Sequence, residues 1–224
     1  MKTINVYIEE KLRISNDTTR NQYALFPKTK GELKEMIESE IENNGNKCSL
    51  NHIDVSEITD MSKLFYKSDF NGNISNWDVS NVKDMDWMFF DSKFNGNIDN
   101  WDVSNVTDMC SMFRESEFNS DISGWDVSNV KDMGGMFSWS KFVGDISNWN
   151  VSNVTNMDGM FRGSMFNGNI SNCDVSNVTD MGWMFRESEF NGDISGWDVS
   201  KVKNMNVMFD RCPLQNNPPK WYKA

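Results

Sequence analysis

The chain has 224 residues, with 22 Lys plus Arg against 33 Asp plus Glu and a formal charge of −11, so it lacks the basic footprint that a nucleic-acid partner requires. No apolar run approaches the roughly 20 residues of a membrane-spanning helix, and a single histidine, His52, removes most Ser-His, Cys-His and multi-histidine metal chemistry. What composition leaves unexplained is 16 Met, 15 Phe and 9 Trp in a chain of mean hydropathy −0.61.

Residues 1–50 read as an α/β N-terminal cap. Ile4, Val6 and Ile8 alternate as a strand. Thr29 with Glu32 forms a capping box ahead of the apolar face Leu33, Met36, Ile37 and Ile41, and Gly45 closes the predicted helix.

From residue 51 to 212 the chain aligns with itself every 24 residues. Trp77, Trp101, Trp125, Trp149, Trp197 and Trp221 share one column, in which Cys173 fills the remaining place. Phe70 to Phe190 form a second column, Ile74 to Ile194 a third, Met61 to Met205 a fourth and Phe65 to Phe209 a fifth. The Phe and Met enrichment is therefore positional. It predicts a repeat solenoid of about seven coils, because one coil cannot bury its apolar side alone and stacked neighbours can. In residues 94–117, Ile98, Trp101, Val103 and Val106 suit short parallel β-strands separated by corners. Met109, Met112 and Phe113 suit one short helical turn, with Asp108 placed to cap it. Stacking at about 4.8 Å per coil gives a rod on the order of 30 Å. Residues 213–224 read as a C-terminal cap, where Pro218 and Pro219 cannot donate to a further strand.

The motifs Phe-Asn-Gly-Asp-Ile-Ser-Gly-Trp-Asp-Val-Ser (190–200) and Asn-Val-Thr-Asp-Met-Gly-Trp-Met-Phe (177–185) resemble the bacterial surface-protein repeat related to BspA-type leucine-rich repeats. That resemblance covers about residues 50–212. It implies a leucine-rich-repeat-like solenoid used for adhesion or protein recognition, usually at a cell surface. The sequence has no signal-type leader, lipidation cysteine near its start or anchoring tail, so a cytoplasmic location is expected by default and cell-surface display is the alternative.

Each candidate site has a structural reading beside its functional one. The carboxylate column Asp54, Asp78, Asp102, Asp126, Asn150, Asp174 and Asp198 admits Asn but never Glu. That choice favours Asx-turns over calcium, and no cofactor or metal is expected. Cys48, Cys110, Cys173 and Cys212 fall at different phases of the coil and are not placed to pair. His52 has no nucleophile to serve, and a row of equivalent serines makes turns rather than an enzyme. The informative positions vary from coil to coil on the outward stripe opposite Met85, Met88 and Phe89. Trp87, Phe90, Arg114, Trp139, Arg162, Trp183 and Arg186 lie there, and Trp and Arg dominate binding hot spots. These residues point to a noncatalytic, monomeric module that binds a protein, or secondarily a glycan, with no nucleic acid and no membrane insertion. The alternative is a structural, assembly or phage-type accessory factor acting through the N-terminal cap.

Overall fold

A computed structural model describes residues 23–223. The expected strand at Ile4, Val6 and Ile8 lies outside the described residues. Helix α1 spans Lys30–Asn44, bounded by the two capping residues the sequence predicts. The Thr29 hydroxyl accepts from Glu32 N at 3.2 Å, while the Glu32 carboxylate accepts from Lys28 N at 2.6 Å, one residue earlier than a capping box requires. Gly45, at φ 81°, donates to the Ile41 carbonyl. Leu33 and Ile37, four residues apart on one face, are buried, and Lys30 Nζ donates to Asp60 Oδ1 at 2.9 Å. These contacts fasten α1 to the first coil. His52 belongs to the same junction: its Nε2 lies 3.4 Å from Glu40, and its carbonyl accepts from Ala24 N.

The 24-residue unit is a physical coil. Met61, Lys63, Phe65 and Lys67 donate their backbone N–H groups to the carbonyls of Asp84, Asp86, Met88 and Phe90 in the next coil, at 2.7–2.9 Å. The same set of bonds links every later pair of coils through Glu187 N to Asp210 O. Inside run three aromatic columns. Phe70, Phe94, Phe118, Phe142, Phe166 and Phe190 stack with centroids 6.3–6.4 Å apart. The Phe65 to Phe209 column repeats at 5.4–6.0 Å, each ring nearly parallel to the next. Each core indole donates Nε1–H to the main chain of an earlier coil, as Trp101 does to Ile74 O at 3.2 Å. The dominant stabilising term is burial of these rings, each covering about 150–250 Å².

The leucine-rich-repeat-like architecture expected from the sequence, with short parallel strands and one helical turn per coil, is overturned. Among the described residues there is no β-strand, and α1 is the one α-helix. Parallel pairing is confined to isolated bridges, one per coil, along Asp60, Asp84, Asp108, Asp132, Asn156, Asp180 and Asn204, with Ser49–Asn73 and Leu25–Ile53 besides. A strand cannot propagate because the chain turns on both sides of the bridged residue. Val106 N bonds back to Val103 O at 2.9 Å, and Met112 N bonds back to Met109 O at 3.2 Å.

The expected helical turn fails for a different reason. Its i, i+3, i+4 apolar spacing is real, but the backbone is a run of overlapping four-residue turns. Two residues per coil, such as Trp87 and Asp91, have positive φ (56° and 48°). Alternate amides point to the next coil instead of back along the chain. Local hydrogen bonds of helical type are therefore impossible beyond a single turn. The capping role read for the aspartates survives this change, since Asp108 Oδ1 accepts from Cys110 N at 2.9 Å and Asp84 Oδ1 accepts from Asp86 N.

The other carboxylate column forms Asx-turns throughout, from Ser56 N on Asp54 Oδ1 at 3.1 Å to Ser200 N on Asp198 Oδ1 at 3.0 Å. Where hydroxyl and amide of Ser128 both face Asp126, its carboxyl is held below the usual range.

The capping column stacks like charges, and two positions show how that is relieved. Asn156 donates Nδ2 to Asp132, and Asn204 donates to Asp180, at 2.9–3.0 Å. Asp84, Asp108 and Asp132 run without such a break. Beside them Asp86 is pushed up to about 6 by burial and then by Asp108 and Asp84, and its Oδ1 is buried without a partner. A carboxylate whose folded pKa lies above its unfolded value binds its proton more tightly in the fold, so its contribution improves as pH falls through 6 toward 4. Asp86→Asn should therefore stabilise the protein at pH 7.5 by about 1 kcal/mol, screening by solvent having reduced the effect. Thermal melts across pH should show the advantage shrinking through pH 6 and vanishing near pH 4. A constant offset at every pH would contradict this account.

Candidate recognition face

The outward side of the turn run is built by its two left-handed columns and the residue between them. Lys63, Trp87, Ser111, Gly135, Gly159, Trp183 and Val207 all have positive φ. So do Lys67, Asp91, Glu115, Trp139, Gly163, Glu187 and Arg211. For a residue with a Cβ this conformation costs roughly 1–2 kcal/mol. Glycine removes that cost and occupies three of these places. The three tryptophans outside the core column all stand on strained positions of this kind.

The face divides into an aromatic patch and an arginine-bearing patch. At the first, Tyr66 stacks on Phe90 with centroids 4.9 Å apart, and Trp87 tilts against Phe90 at 4.7 Å. Arg114 lies 5.8 Å from the Trp87 ring, and Lys67 lies 5.6 Å from Tyr66. Phe90 itself is 7% exposed. It supports Tyr66 and Trp87 and is not itself presented, which corrects its expected place among the contact residues. Tyr66 and Lys67 were missed because the columns were read from residue 87 onward; extending the 24-residue register back one coil reaches both.

Further along, Trp139 and Trp183 are the most exposed aromatics among the described residues, at 46% and 42%. The Trp139 indole lies against the bare backbone of Gly163, where an added Cβ would come within 2.4 Å of the ring. Arg162 joins the two: its carbonyl accepts from Trp139 N at 2.7 Å, and its guanidinium sits 5.8 Å from the Trp183 ring. Arg162 Nε is buried without a partner. Arg186 is engaged differently, pairing with Asp210 at 3.1 Å and with Glu187 at 3.3 Å. Its charge is compensated within the protein; Arg114 pairs with Glu115 at 3.3 Å and also lies over Trp87, whereas Arg162 lies over the Trp183 ring.

Trp87, Arg114, Trp139, Arg162 and Trp183 thus share one side of the stack, in two patches rather than one continuous stripe. The other candidate groups are elsewhere. Cys48, Cys110, Cys173 and Cys212 are free thiols, and burial pushes Cys110 and Cys173 up to about 11. Among the described residues no cluster of three or more His, Cys, Asp or Glu could hold a metal ion, and no helix is long and apolar enough to cross a membrane.

Comparison with curated proteins finds no match, and comparison with solved structures finds none. A family model matches residues 32–143 and then 138–223, two spans that run from α1 to beyond the last coil. The chain belongs to this family, described as Mycoplasma protein of unknown function, DUF285.

Proposed function

We propose that the chain is a noncatalytic recognition module that binds a protein partner through Trp139, Trp183 and Arg162, with Trp87, Tyr66 and Arg114 as a second contact. One observation carries this reading. Every tryptophan outside the core occupies a left-handed residue, where glycine would relieve backbone strain and an indole is retained at a cost in stability. Strain kept at an exposed site is a reason to look for a use. Exposed Trp and Arg supply large contact area and a cation, which is the composition of binding hot spots.

The test uses substitutions that the backbone tolerates. Trp139→Gly with Trp183→Gly should leave the melting temperature unchanged or higher and weaken partner capture at least tenfold. Capture would be read by affinity purification from the native host with identification of retained proteins. Capture undiminished by the double substitution would sink the assignment.

A further inference from the structure

The Trp column has one missing rung. In six coils an indole fills the space between its neighbours and donates Nε1–H to the carbonyl 27 residues earlier; Trp149 reaches Ile122 O at 3.2 Å and Trp197 reaches Ile170 O at 3.1 Å. Coil spacing along this column is 6.4 Å between indole centroids at both ends. At residue 173 the side chain is a thiol, yet the backbone is unaltered: Cys173 N bonds to Ile170 O at 3.2 Å, as Trp101 N bonds to Ile98 O. The backbone of the slot is therefore kept where its usual occupant is missing. Between Trp149, Trp197, Ile146, Met157, Met160, Ile170 and Cys173 itself a cavity of about 20 Å³ remains, room for about one water, with the Ile146 carbonyl not exposed to it while the Cys173 side chain is in place. Its walls register the gap, since Ile146 and Ile170 are each 4% exposed where Ile98 is fully covered. The Ile146 carbonyl keeps its turn bond from Trp149 N at 3.1 Å but lacks the indole donor that its equivalents receive.

We propose that this notch is a binding site for a small free indole. The choice of ligand follows from the chain itself, which fills every equivalent slot with that ring and offers it the same acceptor. A carbonyl oxygen has two lone pairs, so Ile146 O can take the second donor without losing the first. Apolar cavities large enough take apolar rings, and this one reaches that size only when the side chains around it move. Entry requires the Cys173 side chain to turn outward and Met157 and Met160 to yield, which unbranched thioether chains do readily. Trp149 and Trp197 are still almost fully covered, at 4% and 6%. The opening at Cys173 therefore suits a free ring better than one carried on a second polypeptide.

Thermal melts of the purified chain with millimolar indole, 1-methylindole or no addition test the site, alongside Cys173→Trp. The variant supplies the missing ring covalently, and its own higher melting point shows that the slot was refilled. Indole should raise the melting temperature of the unsubstituted protein by 2 °C or more and leave Cys173→Trp unmoved. 1-Methylindole, which has no N–H, should shift the unsubstituted protein less. Equal responses of protein and variant to indole, or no response in either, overturn the site. Equal shifts by the two indoles overturn the role given to the Ile146 carbonyl.

Discussion

Phe137→Ala is expected to destabilise the protein by about 3–5 kcal/mol, the range for removing a fully buried aromatic side chain. Phe137 has no exposed surface. Its ring lies between Phe113 and Phe161, each 5.9 Å away, and against Phe142 at 4.3 Å. Phe113 and Phe161 are held by their own neighbours along the same column and Phe142 by the adjacent column, so the cavity cannot collapse and the full cavity penalty remains. In a stack where each coil touches only its neighbours, a central coil contributes to two interfaces and the last coil to one. Phe209→Ala should consequently cost less, since its ring meets Phe185 at 6.0 Å on one side and only Tyr222 and Trp221 on the other. Urea unfolding followed by tryptophan fluorescence distinguishes the two. Equal midpoints for both variants would show that the stack unfolds without regard to position along it.

The inward residues of this fold are legible because a 24-residue register repeats them. Ile98, Trp101, Val103, Val106 and Met109 are all buried, as their spacing implies. The backbone that carries them is not legible, and the reason is physical. Apolar residues at i, i+3 and i+4 are satisfied equally by a helical turn and by overlapping four-residue turns. Only the left-handed residues tell these apart. Glycine would announce such positions, but Lys63, Trp87, Ser111 and Val207 occupy most of one column and dilute the signal to Gly135 and Gly159. The Asx-turns were readable for the opposite reason: a column that accepts Asp or Asn and refuses Glu reports a short side chain bonding to its own main chain.

The proposed recognition face was half legible in the same sense. Its side of the coil followed from the spacing, so Trp139 and Trp183 were placed outward correctly. Burial of Phe90 beneath Tyr66 and Trp87 depends on contacts between adjacent coils, which no single column displays. The same is true of Arg186. Its neutralisation by Asp210 joins residues 24 apart in a column otherwise read one position at a time.

The left-handed columns give the sharpest test of the turn architecture, because one position should respond in opposite directions to the two backbone-altering residues. Glu115 has φ 59° and donates its N–H to Ser138 O at 2.8 Å. Proline fixes φ near −65° and has no N–H, so Glu115→Pro both forbids the observed conformation and deletes an inter-coil bond, at a cost of about 3 kcal/mol or more. Glycine reaches positive φ without penalty, and Gly163 already fills this column two coils on. Glu115→Gly should therefore stabilise by up to about 1 kcal/mol, the relief of strain outweighing the added freedom of the unfolded chain. The loss of its exposed pairing with Arg114, 3.3 Å away, contributes little. Were residues 109–116 a helical turn, as their apolar spacing suggests, glycine there would destabilise by about 1 kcal/mol instead. The sign of the glycine effect, measured by denaturant midpoint, decides between the two backbones.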